Sequence, residues 1–227
     1  MSETDDRIRR LRRRWKPHKE RLKDDPFGRD TCIRFHRACS WIDRALHCGS
    51  DDVDLALIML WMGFNALYGQ WDIVDKCPKP DVESWKAFLD KILSLDGDGR
   101  LPKTLQEHRQ TVVSLLGNPY VNKHYWKTPD DLGALKRAKS KGRKALSWYF
   151  ERNWPTILEE TLDRVYLVRC QLAHGAATYG GSRNRKAVQL CVDVLDPLLF
   201  AMLNIWIDYG ADENWGKLCY PPLDGDA

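Results

Sequence analysis

VDLALIMLWMGFNALYG, residues 53–69, is apolar at almost every position. With 3.6 residues to a turn, such a run leaves no solvent-facing side, so the segment is expected to form a helix at the centre of a larger assembly. Asp51 and Asp52 stand before it as N-cap and first-turn residues, and Gly69 offers a stop. Immediately upstream, Ile33, Phe35, Ala38, Trp41, Ile42, Ala45 and Leu46 recur at three- and four-residue spacing, which predicts an amphipathic helix over 31–47. Downstream, short helices are expected at 85–95 and at 102–116, the latter with Pro102 in its first turn. NPYVNKHYWKTPDD, residues 118–131, is aromatic and turn-rich and reads as irregular. Helix returns at 132–150, again from 156 with Thr156 and Glu159 as a capping box, and finally over 186–209 with a bend expected at Pro197. No strand-rich region, βαβ alternation or internal repeat is visible, so the expected fold is an all-α bundle.

This pattern divides the chain into a basic N-terminal arm at 1–29, a helical domain at 30–210 and a Pro/Gly/Asp-rich tail at 211–227 that is expected to be loosely held. The arm contains good helix formers, but it shows few apolar anchors and Pro17 is expected to interrupt it. It carries the charge asymmetry of the whole protein. Residues 1–30 hold eleven Lys or Arg against seven Asp or Glu, and the remainder holds twenty-five of each. Arg9, Arg10, Arg12, Arg13 and Arg14 are therefore candidates for contact with RNA phosphates, as are Lys141, Arg143 and Lys144 in the second basic run, KRAKSKGRK. A solvated charged face explains both runs equally well.

The N-terminus lacks the apolar stretch of a secretory signal, and no uninterrupted apolar run reaches the roughly 18 residues a membrane span requires. A cytoplasmic protein without membrane contact is expected. Seven scattered cysteines with no CxxC point to reduced thiols. Cys32, His36 and Cys39 have a spacing that could present metal ligands on one helix, but no fourth ligand accompanies them, and neither metal nor cofactor is expected. Tyr120, His124, Tyr125 and Trp126 could stack on bases, although most of the ten tryptophans are expected to be core or interface mass.

The segment with chemical content is LDRVYLVRCQLAHG, residues 162–175. A histidine titrates near neutral pH and can take or return a proton, while an arginine stays charged and can hold a phosphate oxygen through two hydrogen bonds. Arg169 and His174 together thus suffice, without metal, for attack of a ribose 2′-hydroxyl on its own phosphate. Five positions apart, they lie about 140° apart around an ideal helix, so they converge only where both flank a groove or the helix loosens near Gly175. Both are also ordinary choices near a helix C-terminus.

RCQLAHG at 169–175, together with LWMGFNALYG at 60–69, resembles the HEPN domain family and its Apea-like branch, over about residues 31–209. The resemblance implies a helical bundle that dimerises with the Arg and His motifs of both chains at a shared cleft. It implies a metal-independent endoribonuclease acting as a toxin or antiviral effector, and with it an antitoxin or regulatory partner. Arg169 would hold the scissile phosphate, His174 would act as general acid or base, and Asn65 would face the same cleft. A non-catalytic nucleotide- or RNA-binding module of the same fold is the alternative. The chain departs from the family at Cys170, where a polar residue often follows the arginine. It departs again at Ala176, where one branch carries a modified tyrosine; Tyr179 lies three residues further on.

Overall fold

The computed structural model describes residues 3–48, 51–128, 131–182 and 185–221. Among them are ten α-helices and a single two-residue hairpin, so the all-α expectation is met. The chain runs α1 (Glu3–Leu22), α2 (Pro26–Cys48), α3 (Val53–Tyr68), the hairpin β1 (Trp71–Asp72) and β2 (Cys77–Pro78), then α4 (Asp81–Leu95), α5 (Arg100–Glu107) and α6 (Arg109–Gly117). A 3₁₀ turn (Pro119–Val121) leads to α7 (Lys123–Lys127), α8 (Leu132–Phe150), α9 (Trp154–Ala173) and α10 (Arg185–Tyr209).

The hub is α10 and not α3. Helix α10 packs against α1, α3, α4, α5, α6 and α9, and Cys191, Val194, Leu195, Leu198, Leu199, Met202 and Trp206 along it are fully enclosed. Its length and composition would suit a membrane span, but most of its apolar window, 61%, is buried inside this fold. The helix continues through Pro197. Helix α3 packs on α2, α4, α9 and α10, with Leu57, Leu60, Trp61, Phe64 and Leu67 buried. Gly63 lets α2 come close, since a Cβ there would stand 2.7 Å from Ile42 Cγ1. Its remaining side is not covered: Leu55 and Met62 are exposed, and Ile58, Met59 and Ala66 are half-buried. The apolar run therefore reported two surfaces, one packed and one open.

Other boundaries depart from expectation for local reasons. Helix α1 passes through Pro17, which is solvent-exposed, so the backbone carbonyl left without its helical donor can meet water. The arm is not loosely anchored, because Ile8, Leu11, Trp15 and Leu22 are buried against α2 and α10. The single helix expected at 102–116 is two, broken at His108, whose φ of −99° and ψ of 19° leave the helical region. Asn153, not Thr156, caps α9, its side chain accepting from Thr156 N–H at 3.3 Å with Pro155 in the first turn. Residues 119–121 and 123–127 are helical turns within the stretch expected to be irregular.

The tail is likewise held, through Tyr220. Trp215 stacks on Trp206 at 4.1 Å between ring centroids. Arg34, fully buried on α2, donates from Nη1 to the carbonyls of Leu67 at 3.2 Å and Gly69 at 2.5 Å. From Nη2 it donates to Gly216 at 3.2 Å and Lys217 at 3.0 Å. Arg37 adds bonds to the carbonyls of Cys219 at 3.0 Å and Tyr220 at 2.8 Å. One helix face thus clasps the end of α3 and the C-terminal strap together.

Candidate functional site

The site residues stand at the end of α9, and the helix ends there for a legible reason. Gly175 adopts a left-handed φ of +67°. Its N–H bonds the Leu172 carbonyl at 3.2 Å, and the Ala176 N–H reaches back to the Gln171 carbonyl at 2.8 Å. That pairing is a Schellman closure, which uses carbonyls the helix would otherwise leave open. His174 sits at the cap with its N–H on the Cys170 carbonyl at 3.0 Å. Its imidazole is exposed and has no hydrogen-bond or ionic partner among the described residues.

Arg169 lies one and a half turns earlier, with its side chain 26% exposed. Its guanidinium carbon is 5.8 Å from the Trp61 ring centroid and 5.9 Å from that of Tyr166, so the cation rests on two aromatic faces. Its one carboxylate contact among the described residues, to Asp81 Oδ2, is long at 3.9 Å, and Nη1 also donates to Cys170 Sγ at 3.8 Å. Asp81 is held more firmly by the Tyr68 hydroxyl, which donates to Oδ1 at 2.5 Å; burial, and then that carboxylate, push the Tyr68 phenol far above its ordinary range. Only Nη1 is engaged, so Nε and Nη2 remain as donors for an incoming two-oxygen acceptor.

Asn65 faces a groove of about 510 Å³ whose walls include Trp41, Met62, Tyr68, Asp81 and Tyr220. No hydrogen bond engages its side-chain amide among the described residues. Asn65 and Arg169 are therefore related through Asp81, which lines the groove and touches the arginine. No hydrogen bond or ion pair joins Arg169 to His174. The loop beyond His174 returns to the start of α3, where Asp54 accepts from Gly180 N–H at 2.8 Å and pairs with both Nη atoms of Arg185 at 2.8 and 3.0 Å. In the same place the Tyr179 hydroxyl donates to Asp52 at 2.5 Å.

Sequence reasoning missed Asp81, Tyr68 and the aromatic cradle. Tyr166 had a local signal, since it precedes Arg169 by three residues and shares its helix face. Asp81 had none, because its approach depends on how α4 docks on α9.

The other sequence candidates distribute as follows. Arg10 pairs with Asp6 at 3.3 Å, Arg12 with Asp43 at 3.2 Å and Arg14 with Asp208 at 2.6 Å, while Arg9 is engaged and Arg13 is not. Arg143 and Lys144 are exposed on α8; the side chains of Lys141 and His124 lie outside the described residues. Trp126 Nε1 donates to the Tyr120 carbonyl at 2.8 Å, and both rings remain about half exposed. Cys32 and His36 do not converge with Cys39, which is enclosed and whose thiol burial pushes up to about 12. No group of three or more His, Cys, Asp or Glu side chains suited to a metal occurs among the described residues. Comparison with known protein families, curated proteins and solved structures finds no match to this chain.

Proposed function

We propose that this protein is a metal-independent endoribonuclease of the HEPN type, working in the cytoplasm as a homodimeric toxin or antiviral effector. The supporting observation is the condition of Arg169: a partly exposed cation on a Trp61–Tyr166 cradle, with one long carboxylate contact and free donors. A phosphodiester offering two oxygens would displace so weak a contact. Arg169 then holds the non-bridging oxygens while the neighbouring 2′-hydroxyl attacks phosphorus. The 5′-oxygen leaves, giving a 2′,3′-cyclic phosphate. His174 either removes the 2′-proton or delivers one to the departing oxygen.

No hydrogen bond or ion pair joins the two side chains within one chain, and five positions on an ideal helix set them about 140° apart, so the complete site is taken to combine both protomers. The open apolar side of α3, with Leu55 and Met62, together with Trp41 on α2, supplies a surface that a second copy would cover. Two chains also provide two imidazoles, one for each proton transfer. A restraining antitoxin or regulatory protein is expected for an enzyme of this kind.

The test is cleavage of labelled RNA by purified protein in EDTA, with product ends identified as cyclic phosphates. His174→Ala is expected to lose about 10²- to 10⁴-fold in rate. A clean dimer that leaves structured and unstructured RNAs intact, or a His174→Ala variant that cuts at the wild-type rate, overturns the proposal. The contact with Asp81 and the cap position of His174 favour a second reading, a nucleotide- or RNA-binding module. Nucleotide-dependent thermal stabilisation without cleavage would distinguish it.

A further inference from the structure

The basic run on α1 does two different things on two sides of the helix. Ile8, Leu11, Trp15 and Leu22 form its buried stripe. On one side of that stripe, Arg7, Arg14 and Arg21 recur every seven residues and are each committed to α10 or the chain just after it. Arg7 pairs with Asp196 at 3.0 Å, and Arg14 with both oxygens of Asp208 at 2.6 and 2.8 Å and with Asn204. Arg21 pairs with both oxygens of Asp212 at 2.5 and 2.9 Å. These arginines fasten the helix down.

On the other side, Arg13, Lys16 and Lys19 are exposed and have no ionic or hydrogen-bond partner among the described residues. With Arg9, Arg12 and His36 they line a groove of about 410 Å³ between α1 and α2. Glu20 is the one carboxylate on its wall, and it is paired with Lys23 at 3.7 Å. Trp15 and Phe35 stack at 4.6 Å beneath it but are only 4% and 1% exposed. Arg13, Lys16 and Lys19 thus leave uncompensated positive charge along the groove, and the two aromatic rings beneath it are buried.

We propose that this groove is a docking track for the phosphate backbone of RNA, held by Arg13, Lys16 and Lys19. A folded or peptide partner docks most strongly on accessible aromatic anchors, and the rings of Trp15 and Phe35 beneath this groove are buried. A polynucleotide backbone needs only placed cations, because neutralising phosphates releases their counterions. Along α1 the three cations span about 9 Å, comparable with the roughly 7 Å of rise between the first and third of three phosphates in a stacked strand. Binding is through phosphate alone and so is independent of base sequence. The choice of RNA over DNA rests on the ribonuclease reading; the groove's affinity for a polyanionic backbone does not.

The experiment uses the full chain carrying His174→Ala, a labelled 20-nucleotide RNA, and a salt titration. In that background Arg13→Gln, Lys16→Gln and Lys19→Gln together are expected to lower the slope of log affinity against log salt by about two to three, with a loss of about a hundredfold or more at 0.1 M salt. A charge-matched control, Lys76→Gln, Lys136→Gln and Lys139→Gln, exposed positions outside the groove, is expected to leave most of the slope intact. Unchanged melting temperatures show that both triples are folded, as expected for side chains without structural partners. An unaltered slope in the α1 triple, equal losses in both triples, or tight capture of poly-glutamate with no affinity for RNA each overturn the proposal. Loss of slope in a protein whose wild type never cuts RNA sustains the groove and ends the ribonuclease reading. Cleavage with no groove dependence in affinity does the reverse.

Discussion

Arg34 and Arg169 carry the same guanidinium into opposite situations. Arg34 is enclosed on α2 and spends its Nη atoms on four backbone carbonyls, and its pKa is lowered to about 10 by burial, still far above neutrality. Arg169 rests on two aromatic rings, with one distant carboxylate, Asp81, that itself lines the groove. The first arginine has both Nη atoms committed to backbone, with Nε buried and unpaired, and is structural. The second retains donors, and spare hydrogen-bonding capacity beside a concave surface is what a phosphate site requires. Arg164, one and a half turns before Arg169 on the same helix, sides with Arg34: it is 1% exposed and contacts Glu160 at 3.3 Å and Asp163 at 3.4 Å.

The sharpest way to break this contrast is to remove the guanidinium at each place. Arg34→Met leaves the carbonyls of Leu67, Gly69, Gly216 and Lys217 without their donor, and a loss of about 3–5 kcal/mol is expected in urea unfolding. Residues 211–221 should become accessible to protease at the same time. Arg169→Met should cost less, about 1–2 kcal/mol, since Met keeps the packing on Trp61 and Tyr166 and what is lost is one long ion pair, a long bond to Cys170 and two partly exposed cation–π contacts, while abolishing the proposed cleavage. Equal stability losses at the two positions would show that Arg169 is a structural clasp as well.

What was legible in the sequence follows the same division. The amphipathic stripes placed most of the helices, because burial repeats with the helical period and needs no knowledge of partners. The stop at Gly175 and the N-cap at Asp52, which accepts from Leu55 N–H at 3.0 Å, are local chemistry and were equally readable. Long-range contacts were not. The tail looked loose from its composition because its anchors, Arg34 and Arg37, lie about 180 residues away. The arm looked unanchored because its acidic partners Asp196, Asp208 and Asp212 belong to α10 and the segment after it. The run at 53–68 suggested complete enclosure, since hydrophobic content alone does not separate a packed face from an open one. At the candidate site, Arg169 and His174 could be singled out by residue type and spacing alone, whereas the long contact of Asp81 with the arginine emerges only from tertiary docking.

A smaller change tests whether the end of α9 is a built feature. Gly175 takes φ of +67° with nothing within 4 Å of where a Cβ would sit, so Gly175→Ala meets no clash and suffers only the left-handed backbone penalty, about 1–2 kcal/mol. The expected result is a modest drop in melting temperature together with a fall in cleavage larger than the stability loss explains, because unwinding the Schellman closure re-aims His174 relative to Arg169. Retention of full activity would mean that the orientation of His174 does not depend on how the helix ends.

The weakest effect concerns the ionic side of α1 and is read through pH. Burial raises the Asp208 pKa, but hydrogen bonds from Arg14 and Arg100 outweigh it and hold the carboxyl below the ordinary range. The hydrogen bond from Arg21 holds Asp212 low in the same way. A carboxylate whose folded pKa is depressed contributes stability that is fully present above its unfolded value of about 3.9 and is lost as pH falls through the folded value. Docking of α1 through these two carboxylates should therefore weaken below about 4, while Asp196, whose pKa burial raises despite its pairing with Arg7, acts in the opposite sense. The measurement is hydrogen exchange or proteolysis of residues 3–22 as pH falls through that value. In the Asp208→Asn, Asp212→Asn double variant the acid step should largely disappear, and α1 should be partly loosened already at neutral pH. An acid step of unchanged size in that variant would move the origin of α1 docking from these ion pairs to the buried Ile8, Leu11 and Trp15 stripe alone.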